Sequence, residues 1–132
     1  IVQLIASEAG CSDTMTLAIS IAMCGCTDPS ALNYDPGAQL NNGSCIYAVP
    51  MVEVPNVFTP DGDDVNELFL LNTTNAVNVE MTIFNRWGNT MFHGSGLNPS
   101  WDGKSGGNAV EEGTYFVKYI VSGYNNQKIE AG

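Results

Sequence analysis

The sequence VNVEMTI at residues 77–83 alternates large apolar side chains with polar ones. Valine, methionine and isoleucine stand at positions 77, 79, 81 and 83, and asparagine, glutamate and threonine stand between them. Side chains along a β-strand point to opposite faces in turn, so a period of two predicts a strand with one buried face. This stretch therefore indicates a β-sheet protein.

A second long pattern, TYFVKYIVS at residues 114–122, is β-branched and aromatic and places every second side chain from 115 to 121 on one face. Shorter strand patterns, separated by turn formers, occupy residues 52–57, 67–71, 90–93 and 127–131. The last of these would return antiparallel after the turn at residues 123–126. Six or seven short strands at such spacing predict an all-β, immunoglobulin-like antiparallel β-sandwich over residues 48–132. We expect the side chains of four residues to face its core: Met81, Ile83, Val117 and Tyr119.

Length and charge narrow the function classes. The chain has 132 residues, with 4 basic and 14 acidic side chains and a formal net charge of -10. This length allows one compact domain with a small appendage. The negative charge repels phosphate backbones, so no nucleic-acid partner is expected. The longest apolar run, residues 15–23, is far shorter than the roughly 20 residues of a membrane helix, so no direct membrane insertion is expected.

Residues 1–23 contain two strand patterns, residues 1–7 and 15–23, around a polar turn at residues 8–13. This arrangement predicts an N-terminal β-hairpin. It resembles the closing hairpin of a PKD-type immunoglobulin-like repeat. An isolated hairpin is marginally stable and no signal peptide stands at Ile1, so we expect the sequence to be the end of a longer exported precursor.

Four cysteines, Cys11, Cys24, Cys26 and Cys45, lie in the first third of the chain. An even number in a turn-rich stretch indicates disulfides formed in an oxidising compartment. Residues 24–47 have too little apolar content for a core, so a bond between Cys26 and Cys45 is the favoured staple. Cys11 and Cys24 would pair with each other or with cysteines upstream. The alternative is a zinc site at Cys24 and Cys26, although one residue between ligands is fewer than the usual two to four.

The stretch CGCTDPSALNYDPGAQLNNGSC at residues 24–45 resembles a Cys-rich motif of Bacteroidetes surface proteins, a repeated spacer near the C-terminus of large exported chains. Its Asp28, Asn33 and Asp35 offer oxygen ligands for a cation. The neighbouring Pro29 and Pro36 favour hydrogen-bonded turns instead.

A stronger resemblance rests on four motifs in order: PNVFTPDGDDVNELF at residues 55–69, IFNRWGN at 83–89, WDG at 101–103 and GTYF at 113–116. Together they resemble the gliding-motility-associated C-terminal domain, the type B sorting domain of the type IX secretion system. The motif positions expected to carry recognition are Pro55, Asn56, Phe58, Thr59, Pro60, Asn85, Arg86, Trp87, Gly88, Asn89, Trp101, Gly103, Gly113, Thr114 and Tyr115.

This resemblance implies a domain that is recognised and performs no catalysis. It would direct a large surface protein, an adhesin if the PKD-like hairpin is a guide, through the periplasm to the outer-membrane cell surface. The implied partners are the type IX outer-membrane translocon and its PorV-type shuttle barrel, met through an exposed strand edge and the motif loops. The family normally closes with a Gly-x-Val-x-Leu-x-Arg strand, whereas this sequence stops at IEAG, so we expect the last strand to be missing.

Five oxygen-bearing side chains lie within seven consecutive residues and predict a calcium site: Asp61, Asp63, Asp64, Asn66 and Glu67. The alternative is a solvated acidic turn stabilised by side-chain-to-backbone hydrogen bonds. The family pattern has asparagine at position 61 and glycine at 64, so both departures add negative charge and leave the turn geometry open.

The other candidate residues indicate no active site. His93 is the only histidine, no cysteine or serine nucleophile in its segment signals a catalytic triad, and it is expected on the surface. Arg86 is either a recognition contact or a cation stacked on the Trp87 ring. Both tryptophans are expected to pack in the core or at strand ends. The alternative is a carbohydrate-binding module, which requires Trp87, Trp101 and Tyr124 to form one exposed aromatic strip.

Overall fold

The computed structural model describes residues 4–8, 11–15 and 22–132. The chain divides into two compact units, Ile1–Ala48 and Val49–Gly132. The described residues form strands, turns and one 3₁₀ turn, with no α-helix among them. Within this described part, no helix is long and apolar enough to cross a lipid bilayer.

The first unit begins with an antiparallel hairpin of β1 (Leu4–Glu8) and β2 (Cys11–Met15). The predicted hairpin is therefore present, but the predicted turn at residues 8–13 was too long. Glu8 pairs directly with Cys11, so backbone pairing continues through polar residues that sequence composition assigns to a turn. Residues 16–21, which make up most of the predicted second strand, lie outside the described residues.

The Cys-rich segment of the first unit contains β3 (Cys24–Gly25) and β4 (Leu40–Asn41), which pair in parallel. Its buried hydrophobic residues, in the described part of the unit, are Cys26 and Ala31 alone. Cys26 and Cys45 form the predicted disulfide, with their Cα atoms 4.9 Å apart. The zinc alternative is wrong, because the Cys26 sulfur is bonded and is no thiolate ligand. The pairing of Cys11 with Cys24 stays a prediction, since the side chain of Cys11 lies outside the described residues.

The second unit contributes ten strands: β5 (Met51–Glu53), β6 (Phe69–Leu70), β7 (Asn72–Thr74), β8 (Ala76–Phe84), β9 (Thr90–Gly96), β10 (Ser100–Trp101), β11 (Lys104–Ser105), β12 (Asn108–Ala109), β13 (Phe116–Gly123) and β14 (Lys128–Ala131). The long strands form an antiparallel sheet in the order β14-β13-β8-β9. The short strands pair as β5-β7, β6-β10 and β11-β12, also antiparallel.

The core lies between the four-stranded sheet and the β5-β7 and β6-β10 ladders. Its most buried side chains are Val79, Met81, Ile83 and Val121 from the sheet, and Leu71 and Trp101 from the other side, all exposed by 3% or less. Val117 and Tyr119 pack against this cluster. The predicted sandwich and its four inward-facing residues are therefore confirmed.

Some strands begin or end at residues other than the predicted ones, because backbone pairing with the neighbouring strand, and not the alternation of side chains, determines those ends. Val77, predicted on the buried face, is exposed because the β8-β13 register shifts there and Ala76 pairs with Gly123. The predicted strand at residues 67–71 shortens to β6, since Glu67 belongs to the preceding loop. The predicted return into β14 is present, and Asn125 and Asn126 adopt the left-handed conformation that asparagine tolerates in such a turn.

A groove and an exposed turn built by the sequence motifs

Three of the four sequence motifs meet in an aromatic cluster. The Phe58 ring centroid lies 5.8 Å from that of Phe69 and 5.3 Å from that of Trp101, which lies 5.2 Å from Tyr115. Trp101 is 1% exposed, and its Nε1–H donates to the Lys104 carbonyl at 2.8 Å. Aromatic pairs at such separations stabilise a core beyond simple burial. These motif residues therefore hold the sandwich together.

The glycine of the third motif is required by a close approach of the first. Gly103 is buried and has φ +74°, and a Cβ atom on it would stand 2.9 Å from Pro60 Cγ. Any larger residue would therefore meet both backbone strain and a clash with Pro60. The Tyr115 hydroxyl donates to the Glu111 carbonyl at 2.6 Å and ties the fourth motif to the segment before it.

A groove of about 740 Å³ opens beside the aromatic cluster. Its lining contains four continuous segments, residues 55–61, 101–104, 109–113 and 115–117. Phe69 and Ile83 also belong to the lining, although Ile83 and the Trp101 ring are almost fully buried. The same motifs that form the aromatic cluster therefore shape a surface depression. Sequence reasoning singled out Gly113 and missed residues 109–112, because tertiary contacts bring them there, among them the hydrogen bond from the Val110 N–H to the Gly103 carbonyl at 2.9 Å.

The second motif forms the exposed turn between β8 and β9. Asn85 Oδ1 accepts hydrogen bonds from the N–H groups of Trp87 at 3.0 Å and Asn89 at 2.9 Å, and Gly88 has φ +81°. Arg86 lies over the Trp87 ring, with its Cζ 4.4 Å from the centroid. Trp87 is 68% exposed, so the cation and ring form a stack at the surface. Asn85 and Gly88 therefore form the turn, and the side chains of Arg86 and Trp87 remain exposed to solvent.

The two tryptophans thus have opposite environments. Both tryptophans were predicted in the core or at strand ends. Trp101 lies in the core, and Trp87 lies just beyond the end of β8, where Arg86 stacks on it. The exposed strip of Trp87, Trp101 and Tyr124 required for a carbohydrate site is absent, because Trp101 is buried. His93 lies on the surface as predicted, with Nδ1 2.9 Å from the Thr82 hydroxyl oxygen.

The acidic loop closes on itself through the backbone, with the Thr59 N–H donating to the Asn66 carbonyl at 2.8 Å. Carboxylate oxygens of Asp61, Asp63 and Glu67 lie within 4.8 Å of one another. Asp64 is outside this group. Backbone N–H groups also contact the cluster, since Glu67 Oε1 accepts from Gly62 at 2.6 Å and Asp63 Oδ1 accepts from Val65 at 2.8 Å. Three of the four predicted carboxylates therefore converge in a geometry compatible with a cation.

In the Cys-rich segment, the three candidate oxygen ligands bind their own chain. Asn33 donates to the Ser44 carbonyl and accepts from the Ile46 N–H, and Asp35 accepts from the Gly37 N–H. The Tyr47 hydroxyl donates to Asp28 Oδ2 at 2.6 Å. That bond, together with the bond from the Ser30 N–H, lowers the pKa of Asp28 below its ordinary value. The bond to Asp28 also raises the pKa of Tyr47. These contacts favour the turn interpretation of the segment.

The fold and these surfaces define a β-sandwich module whose motifs divide between a buried scaffold and an exposed turn. The family model of the CHU_C type IX secretion signal domain matches residues 52–132, and the chain belongs to this family. The resemblance found in the four motifs is thereby confirmed. Comparison with curated proteins and with solved structures gave no match. As a type IX secretion signal domain, the segment interacts with that secretion machinery and marks its chain for export to the cell surface or the extracellular space.

Proposed function

We propose that residues 52–132 are the C-terminal sorting and surface-attachment signal of a large adhesin, and that the turn at residues 85–89 contacts the translocon. The observation that carries the export role is the family match over this whole segment. The proposed partners are the outer-membrane translocon and a PorV-type shuttle barrel. The PKD-like N-terminal hairpin supports an adhesin as cargo. No turnover by the domain itself is proposed.

The division between buried and exposed motif residues supports the turn as the contact. Phe58, Trp101 and Tyr115 are used by the core, and their loss would act through folding. Arg86 and Trp87 are exposed together, and neither packs against the core cluster. Arginine and tryptophan are also the residues that most often carry binding energy in protein interfaces. The exposed stack of Arg86 on Trp87 is therefore a suitable contact for a partner protein.

The test fuses the whole 132-residue chain to the C-terminus of a periplasm-directed reporter in a type IX-competent host. Arg86→Ala with Trp87→Ala should leave the reporter in the periplasm, while limited proteolysis shows a folded domain. Leu97→Ala, at another exposed apolar residue outside the motifs, is the matched control and should reach the surface. Normal surface delivery of the double variant would contradict the turn as the contact. Delivery of the reporter without the fused chain would contradict the sorting role itself.

A calcium-stiffened adhesive module is the second candidate function. It is favoured by the convergence of Asp61, Asp63 and Glu67 within one loop. Like-charged carboxylates at this separation repel one another unless a cation or backbone donors compensate them. A bound calcium ion would hold the loop between the two ends that contact the aromatic cluster. The two candidates are separable, because an adhesive role predicts calcium dependence with no loss of export when the loop is altered.

A further inference from the structure

We propose that the groove between residues 55–61 and 109–113 binds a basic, extended segment of a partner protein through backbone pairing. The inference rests on the proposed sorting function for the identity of the natural partner, which would be a component of the export machinery. The binding chemistry follows from the groove alone. Three properties of the lining support it: unpaired backbone, exposed apolar side chains and uncompensated negative charge.

Two stretches of the groove lining have backbone outside strand pairing. Residues 55–58 follow β5 and residues 111–113 precede β13, yet neither segment belongs to a strand. Within the described residues, no backbone-to-backbone hydrogen bond involves either segment, and only the Glu111 carbonyl is engaged, by the Tyr115 hydroxyl at 2.6 Å. Unpaired N–H and C=O groups beside a groove are the groups to which an added strand binds.

Large apolar side chains in the same lining are exposed. Val57 is 70% exposed and Phe116 is 59% exposed, and both line the groove. Phe116 stands at the first position of β13, opposite Phe84 of β8. Exposed valine and phenylalanine beside free backbone groups give alternate side chains of a bound strand apolar surface to cover.

The negative charge of the groove lining indicates that the bound segment is basic. The groove carries four carboxylates, from Asp61, Asp102, Glu111 and Glu112, and one ammonium group, from Lys104. Lys104 already pairs with Asp102 at 3.4 Å. In the described part of the chain, the side chains of Glu111 and Glu112 form no ion pair or hydrogen bond. A segment with lysine or arginine would neutralise them, whereas a second copy of this chain, at a net charge of -10, would be repelled.

The experiment titrates the isotope-labelled 132-residue chain with a capped octapeptide of alternating lysine and valine, and follows amide chemical shifts. The expected result is saturable binding with the largest shifts at Val57, Glu111 and Phe116. An octapeptide of alternating glutamate and valine should not bind. Methylating alternate backbone nitrogens of the lysine peptide should abolish binding, because it removes the donors needed for strand pairing.

Glu111→Gln with Glu112→Gln should weaken binding of the lysine peptide by roughly threefold to tenfold. Glu53→Gln with Glu130→Gln removes the same number of exposed carboxylates outside the groove lining and should leave the affinity unchanged. Equal weakening by both pairs would overturn the proposal, because it would show attraction to net charge alone. Equal binding of the glutamate peptide, or of the methylated peptide, would overturn it as well.

The proposal about the groove and the proposal about sorting can be contradicted independently of each other. Peptide binding is measured without export, so a chain that binds as expected but does not direct a reporter to the surface contradicts the sorting role only. A chain that sorts normally, requires Arg86 and Trp87, and binds no lysine peptide contradicts the groove inference only.

Discussion

The Cys-rich segment and the sandwich are stabilised in different ways. In residues 22–48, side-chain oxygens of Asp28, Asp35, Asn41 and Asn42 each accept a hydrogen bond from the N–H two residues later. The disulfide between Cys26 and Cys45 closes the segment. The sandwich instead buries six large side chains almost completely and joins its long strands by extended antiparallel ladders.

The difference follows from composition. A segment with few apolar residues gains little from burial, so local polar turns and a covalent bond compensate for its ordering entropy. The sandwich gains its stability from contacts between residues distant in sequence. The two regions should therefore respond to different perturbations, and each of the following tests acts on one region while the other serves as an internal control.

The largest effect is expected from Trp101→Ala. Removing this ring leaves a cavity beside Phe58 and Tyr115 and should lower the free energy of unfolding of the sandwich by about 3–5 kcal/mol. Trp87→Ala removes the same side chain from the exposed turn and should change that free energy by about 0.5 kcal/mol or less. Urea unfolding followed by near-ultraviolet circular dichroism measures both. Similar losses for the two variants would contradict the division of the motifs into buried and exposed sets.

The second-largest loss of stability is expected from removing the disulfide bond. Replacing Cys26 and Cys45 together with serine should destabilise the Cys-rich segment by roughly 3 kcal/mol, because the unfolded chain regains the entropy of an open loop. Amide hydrogen exchange should increase across residues 26–45 and stay unchanged at Met81 and Val121 in the sandwich core. Full protection of residues 26–45 in the variant would show that the polar turns suffice without the bond.

The acidic loop offers an intermediate test, since it lies in the sandwich unit but is built from polar turns. At a concentration 100 times its dissociation constant, calcium would stabilise the unit by about 2.7 kcal/mol, and excess chelator should lower the melting temperature. Asp63→Asn should remove the response, because Asp63 is one of the three converging carboxylates. Asp64→Asn, outside that group, should retain it. Identical melting with calcium and with chelator would favour the solvated acidic turn.

The smallest effect is expected from pH. The pKa of Asp28 is lowered in the folded state, so its stabilising contribution is present above its ordinary pKa of 3.8 and is lost as pH falls through the folded value. The pKa of Tyr47 is raised, so its contribution is present below pH 10 and is lost as pH rises through its folded value.

Tyr47→Phe should therefore raise the pKa of Asp28 towards its ordinary value in a carboxyl NMR titration. Tyr34→Phe, which leaves the bond between Tyr47 and Asp28 in place, is the control and should not move the Asp28 titration. An unchanged Asp28 titration in Tyr47→Phe would show that the Ser30 N–H alone sets the shift.

Much of the fold could be predicted because its signals are local. Alternation at residues 77–83 and 114–122 is a property of consecutive side chains, and it correctly placed Met81 and Tyr119 on the core side. The pairings β6-β10 and β11-β12 were not predicted, because two-residue strands carry no periodic signal that identifies a partner. Their pairing depends on which distant segments the aromatic cluster brings together.

The amino-acid sequence was sufficient for the β class, the Cys26–Cys45 bond and the family, since each depends on residue types at short or recurring spacing. Tertiary structure alone decided which motif residues are buried and which are exposed. Phe58 and Trp101 are 43 positions apart along the chain, and only their packing turns one tryptophan into core and leaves Trp87 at a surface turn. The groove has the same origin, because burial and surface shape arise from contacts between segments that no local pattern connects.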